Sequence, residues 1–134
     1  MTANISITVP APGTIMQDGT IYAGVSPDTG RPIYTTPKDA PLLCLFNEAG
    51  NYPSKLEAHG CQDWRVPTKA ELKVLFRNRA AIGGFNTSGS HPAGSYWSSS
   101  RLGDGLAWTQ RFSDGFHGYN VFKGFQSALR CVRG

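Results

Sequence analysis

A single α+β domain is predicted for this chain, and three observations predict it. A helix-opening signature lies mid-sequence at Thr68, a second helix-like stretch precedes it, and the C-terminal half consists of short apolar runs between glycine-rich turns. The expected architecture is two helices packed on a small antiparallel sheet with long loops. The 134 residues suit one domain with its own core. With 16 glycines and 9 prolines, short elements and many turns are favoured over a helical bundle.

The elements follow in order. Ile5, Ile7 and Val9 alternate with polar residues ahead of Pro10 and Pro12, so residues 1–13 read as an extended arm or edge strand available to another subunit. Residues 20–25 and 32–36 are β-type runs around Ser26-Pro27-Asp28-Thr29-Gly30, whose composition predicts a hairpin turn. Residues 42–59 are helix-like, with Leu42, Leu45, Phe46, Ala49 and Leu56 as a buried stripe and Gly60 as the stop; Pro53 predicts a break into two pieces. Thr68-Lys69-Ala70-Glu71 is a capping box in which the Thr68 hydroxyl and the Glu71 carboxylate reciprocally satisfy two backbone donors, opening a helix to about Arg79. Leu72, Leu75 and Phe76 share one side of it, while Lys69, Lys73 and Arg77 form a basic stripe expected to be a solvated face. Beyond Ile82, residues 95–99, 106–112, 119–122 and 128–133 are predicted strands of the sheet.

Charge and cysteine usage exclude several classes. A net charge of +4 permits weak attraction to anionic glycans, nucleic acid or acidic surfaces, but no nucleic-acid reading motif accompanies it, so no specific nucleic-acid partner is expected. No apolar run approaches the ~20 residues that span a bilayer. Residues 1–12 hold no secretory n-region and h-region, and the expected location is therefore cytoplasmic or virion-associated. Cys44, Cys61 and Cys131 lack the C-x-x-C spacing of a zinc or redox site and read as small buried residues of a reducing compartment. A Cys61–Cys131 bridge would need oxidising surroundings, and spacing alone does not bring those sulfurs together.

Four separated motifs carry a family resemblance: Asp63-Trp64-Arg65-Val66-Pro67-Thr68-Lys69-Ala70-Glu71-Leu72, Tyr96-Trp97-Ser98-Ser99-Ser100, Ala107-Trp108, and Leu129-Arg130-Cys131-Val132-Arg133. In this order they resemble the C-terminal domain of bacterial collagen-like adhesins, the Lcl-like family, over about the last three quarters of the chain. The resemblance implies a C-type-lectin-like, formylglycine-generating-enzyme-like fold, similar to the target proteins of diversity-generating retroelements, and adhesive members that form trimers. Physical chemistry reads the same motifs as scaffold: Trp64 and Trp97 suit places where a helix meets a sheet and the indole N–H finds an acceptor. Arg65 suits a buried carboxylate.

The binding surface is therefore expected elsewhere. Residues 101–105 read as a polar, glycine-rich loop, and residues 117–125 interleave aromatics with small and polar residues, a composition that gives contact area at little entropic cost. The candidate ligand-binding residues are Arg101, Asp104, His117, Tyr119, Asn120 and Phe122; Phe122 and Phe125 read equally well as core of a strand pair, whereas Tyr119 and Asn120, following Gly118, are placed at a turn. No catalytic residue, cofactor or metal is expected. His59, His91 and His117 are scattered, Ser98–Ser100 lacks a nucleophile elbow, and Asp104, Asp114 and Asn120 are too few for a calcium site of 6–8 oxygens. An oxidase of the formylglycine-generating type would need a suitably placed pair of reactive thiols, which the positions of Cys61 and Cys131 do not suggest. The predicted function is a non-enzymatic ligand- or receptor-binding module of adhesin or phage receptor-binding type, contacting a protein or glycan on a bacterial surface. The alternative is a cytosolic or mobile-element-encoded protein that binds and modulates a bacterial protein.

Overall fold

The computed structural model describes residues 10–41, 43–89, 94–102, 106–121 and 126–134, with backbone alone for Leu102 and residues 119–121. The arm residues Ile5, Ile7 and Val9, together with Leu42 and His91, lie outside the described residues. In chain order the elements are β1 (Ile21–Val25), β2 (Pro32–Thr35), α1 (Phe46–Lys55), a 3-10 turn (Ala58–Gly60), α2 (Lys69–Arg77), α3 (Arg79–Ile82), β3 (Ser95–Leu102), β4 (Leu106–Arg111), β5 (His117–Val121) and β6 (Val132–Arg133). The domain is α+β, as predicted.

Two small antiparallel sheets, ordered β1-β2-β6 and β3-β4-β5, replace the one sheet expected. The reason lies in the run 128–133, predicted as one strand. Its start bridges the second sheet, Ala128 beside Tyr96, while its end, Val132 and Arg133, pairs with Thr35 and Tyr34 of β2. An apolar run announces a strand but not its partner, and here one run serves both sheets.

The β1–β2 hairpin forms where its turn residues predict it, with a register shift between Tyr22 and Gly24. Gly24 sits at φ +131°, and a Cβ there would meet Val74 at 2.9 Å, so its absence lets β1 approach α2. α1 runs through Pro53 to Lys55, and the chain leaves helical geometry only at Leu56, contrary to the expected break. Proline removes one donor and crowds the carbonyl four residues back, but two residues from the helix end that cost is confined to the last turn. Ala49 and Pro53 are the buried residues of this helix.

The capping box of α2 forms as read, with Thr68 N–H donating to Glu71 Oε1 at 3.0 Å and Glu71 N–H to Thr68 Oγ1 at 3.2 Å. The predicted helix divides at Asn78, because the Asn78 side-chain amide donates to Ala23 O of β1 at 2.9 Å and the backbone there leaves helical geometry before α3. Thr68→Ala removes the cap and the hydroxyl's bond to Asp28. It is expected to lower stability by about 1 kcal/mol, read as a shift of the urea midpoint at unchanged slope.

The core lies on both faces of the β3–β4 pair, because successive strand residues point to opposite sides. Tyr96 and Trp108 join Ile21, Ile33, Leu72, Leu75, Phe112 and Val132 on one side. Trp97 and Ala107 join Cys44, Ala49, Trp64, Leu129 and Cys131 on the other. Trp64 and Trp97 are scaffold, as their chemistry suggests: their indole N–H groups donate to Ala58 O at 3.2 Å and to Cys44 O at 2.7 Å. Arg65 meets a buried carboxylate, forking onto Glu71 at 2.5 and 2.8 Å.

Candidate functional site

The β4–β5 hairpin is in register over its full length, from Leu106 opposite Val121 to Gln110 opposite His117. Its turn is closed by Arg111 N–H donating to Phe116 O at 2.8 Å and Gly115 N–H to Arg111 O at 2.7 Å. Gly115 takes φ +84° and lies so close to the Phe76 ring that a Cβ would come within 2.7 Å of it. Arg111 forks onto Asp114 at 2.9 and 2.5 Å, and Asp114 Oδ1 also accepts from Phe116 N–H at 3.0 Å. The Arg111 hydrogen bond, followed by that of Phe116, holds the Asp114 carboxyl at about 2. Locked in this way, the turn displays Phe116, 67% exposed, with the Arg111 guanidinium 5.2 Å from its ring.

Behind the turn, Trp108 is buried under charged neighbours. The His117 ring lies 5.1 Å from it, and the Lys69 and Lys73 ammoniums lie 5.9 and 5.7 Å from its centroid. The basic stripe of α2 is thus more than a solvated face: Lys73 and Arg77 are exposed as expected, but Lys69 is half-buried and both lysines cover an indole. No ion pair engages Lys69, Lys73, Arg77 or Arg101 among the described residues.

The sequence-predicted residues distribute as follows. Arg101 is exposed, but it belongs to β3 and not to a loop, pairing with Ala107, which in turn pairs with Asn120. Tyr119 and Asn120 belong to β5, in keeping with the strand predicted from 119 and not with the turn expected after Gly118, and Tyr119 stands opposite Trp108. Gly118 misled the reading: it lies extended opposite Thr109, and the true turn is Asp114-Gly115. His117 is exposed at the start of the same strand. Asp104 and Phe122 lie outside the described residues. One sheet therefore carries all four, Arg101 and Asn120 in register with Ala107, Tyr119 with Trp108 and His117 with Gln110, so they do not form a single cluster.

Sequence reasoning missed Phe116 and the lysines' contact with Trp108. An Asp-Gly turn followed by Phe was the available signal. Asp114, considered for calcium, gives its oxygens to Arg111 and Phe116 N–H. The cysteines are free thiols; burial pushes Cys44 up to about 11 and Cys131 up to about 12, while Cys61 is half-buried. No helix among the described residues is long and apolar enough to cross a membrane.

A two-sheet α+β scaffold with a locked hairpin, an exposed aromatic at its turn and, over the hairpin's Trp108, two lysines without ion pairs among the described residues has the make-up of a binding domain. Residues 26–133 match the Lcl C-terminal domain, and the chain belongs to that family. Membership fits an adhesin-like binding module in general terms. No curated protein matches the chain.

Proposed function

We propose that this domain is a non-enzymatic recognition module of adhesin or receptor-binding type, whose ligand docks on the β4–β5 hairpin and the adjoining face of α2. The observation that carries the reading is Phe116, a large apolar side chain held out into solvent on a turn fixed by Arg111 and Asp114. A rigid aromatic beside an arginine loses little entropy on binding, the pattern of an interface hot spot. Lys69 and Lys73, lying over Trp108 of the same hairpin, add positive charge to this face and favour a protein or glycan ligand that carries anionic groups. Binding is favoured over turnover because Cys44 and Cys131 are buried and kept protonated, the opposite of what thiol-based oxidation requires.

The test compares Phe116→Ser, the Lys69→Glu/Lys73→Glu pair and the wild type for binding to intact bacterial cells and to a panel of surface glycans. Each variant is expected to lose about tenfold or more in affinity, Phe116→Ser with an unchanged melting temperature and the charge reversal with a small decrease, since it also removes the lysines from Trp108, and the charge reversal is expected to abolish the salt dependence. Wild-type binding by both variants would move the recognition surface away from this face.

A further inference from the structure

The opposite side of the β3–β4 pair carries a second concavity. Between α1 and the segment leading into it, a cleft of about 270 Å³ is floored by Leu43, Cys44 and Leu129 and walled by Tyr52. That volume falls just below the ~300 Å³ at which sites for drug-sized ligands begin, so its occupant is small or is a short stretch of chain. The floor is apolar, and Leu43 remains 37% exposed over it. The rim is charged and ordered along one helix face. Glu48 and Lys55 both line the cleft, Tyr52 lying between them.

Glu48 uses one carboxylate oxygen to accept from Leu45 N–H at 2.8 Å, while the other oxygen has no hydrogen bond among the described residues; Lys55 has no ion pair there either. Seven residue steps along the helix separate the two charges, a rise of about 10.5 Å. Four residue steps of extended chain cover about 13 Å and return the side chain to the starting face, a span that flexible lysine and glutamate stems adjust to the rim.

We propose that this cleft binds a short extended peptide segment with an apolar centre, a basic residue at the Glu48 end and an acidic residue at the Lys55 end. The rim is dipolar with no net charge, which disfavours a simple carboxylate at Glu48 and a simple amine at Lys55. A segment with opposite charges about 10 Å apart satisfies both at once, and its apolar centre covers Leu43 and Cys44. This site lies across the sheet from Trp108 and Phe116, so it stands independently of the recognition face proposed above.

The probe is the peptide acetyl-Lys-Leu-Val-Ala-Glu-amide, titrated into isotope-labelled domain and followed by amide chemical shifts. Saturable shifts are expected at Leu43, Cys44 and the α1 amides, with the β4–β5 hairpin unmoved. Lys55→Glu, an exposed change that leaves the floor intact, is expected to weaken this probe about tenfold, the worth of one charge-assisted contact. It is also expected to accept acetyl-Lys-Leu-Val-Ala-Lys-amide about as tightly as the wild type accepts the first probe. Absence of saturable shifts at α1 up to millimolar peptide, shifts confined to the hairpin, or equal affinities for wild type and Lys55→Glu would overturn the proposal.

Discussion

Arg130→Ala is expected to destabilise the domain by about 3–5 kcal/mol in urea denaturation, the cost of leaving a buried charge without its partner. The guanidinium is completely buried. It donates to Asp39 Oδ1 at 3.0 Å, to Thr36 O at 2.8 Å and to Gly83 O at 2.9 Å, and its centre lies 3.8 Å from the Phe85 ring centroid. Burial pushes the Asp39 carboxyl up and the Arg130 guanidinium down, each opposed by the attraction of the other. Truncation therefore strands Asp39 with the Tyr96 hydroxyl and orphans two carbonyls. The sharper comparison is the double variant Asp39→Leu/Arg130→Met, which removes both charges and is expected to cost less than Arg130→Ala alone. A double variant as unstable as the sum of two single losses would show that the two charges do not act as a pair.

The second large effect belongs to Glu71 and is visible in acid. Burial alone would raise its carboxyl, but hydrogen bonds from Arg65, Ser26 and Thr68 N–H, with the charge of Arg65, outweigh burial and hold it at about 2 against an ordinary 4.5. A depressed carboxyl stabilises the fold above its unfolded value and loses that contribution as pH falls from about 4.5 towards 2. The amount is about 3 kcal/mol at neutral pH. Unfolding free energy measured from pH 7 to pH 2 is expected to fall more steeply for the wild type than for Glu71→Gln, with the two curves converging at the acid end. Parallel curves would show that Glu71 keeps an ordinary affinity for its proton. Arg65→Met should move the acid transition towards neutral pH, since burial then acts on Glu71 with less to oppose it.

Features governed by near neighbours were legible in the sequence. The Thr68–Glu71 box, the turn around Ser26–Gly30 and the scaffold role of Trp64 and Trp97 each follow from a residue's own chemistry or from residues within a few positions. What was not legible depends on distant partners. Arg130 finds Thr36 across 94 residues, and nothing in Leu-Arg-Cys-Val-Arg distinguishes a buried guanidinium from the half-exposed Arg133 three residues later. The division into two sheets was hidden for the same reason, because alternation marks a strand without naming its neighbour. Within the candidate site, Gly118 was read as a turn on composition, although glycine also tolerates an extended strand; that reading began the last strand of the hairpin at Tyr119 in place of His117 and drew attention away from Phe116. The α1 cleft could not be read at all, since its floor comes from segments more than 70 residues apart.

The run from Ser127 to Arg133 bridges both sheets and carries the Arg130 plug, which gives it a place in time as well as in space. Translation delivers these residues after every element they join, so α1, α2 and the β4–β5 hairpin emerge from the ribosome before either core can close over them. Until then Trp97 and Tyr96 lack the Ala128–Leu129 backing, and β2 has no partner on its β6 side. Such a chain gathers its decisive contacts late and at long range, the circumstance in which nascent polypeptides stay longest in the care of chaperones.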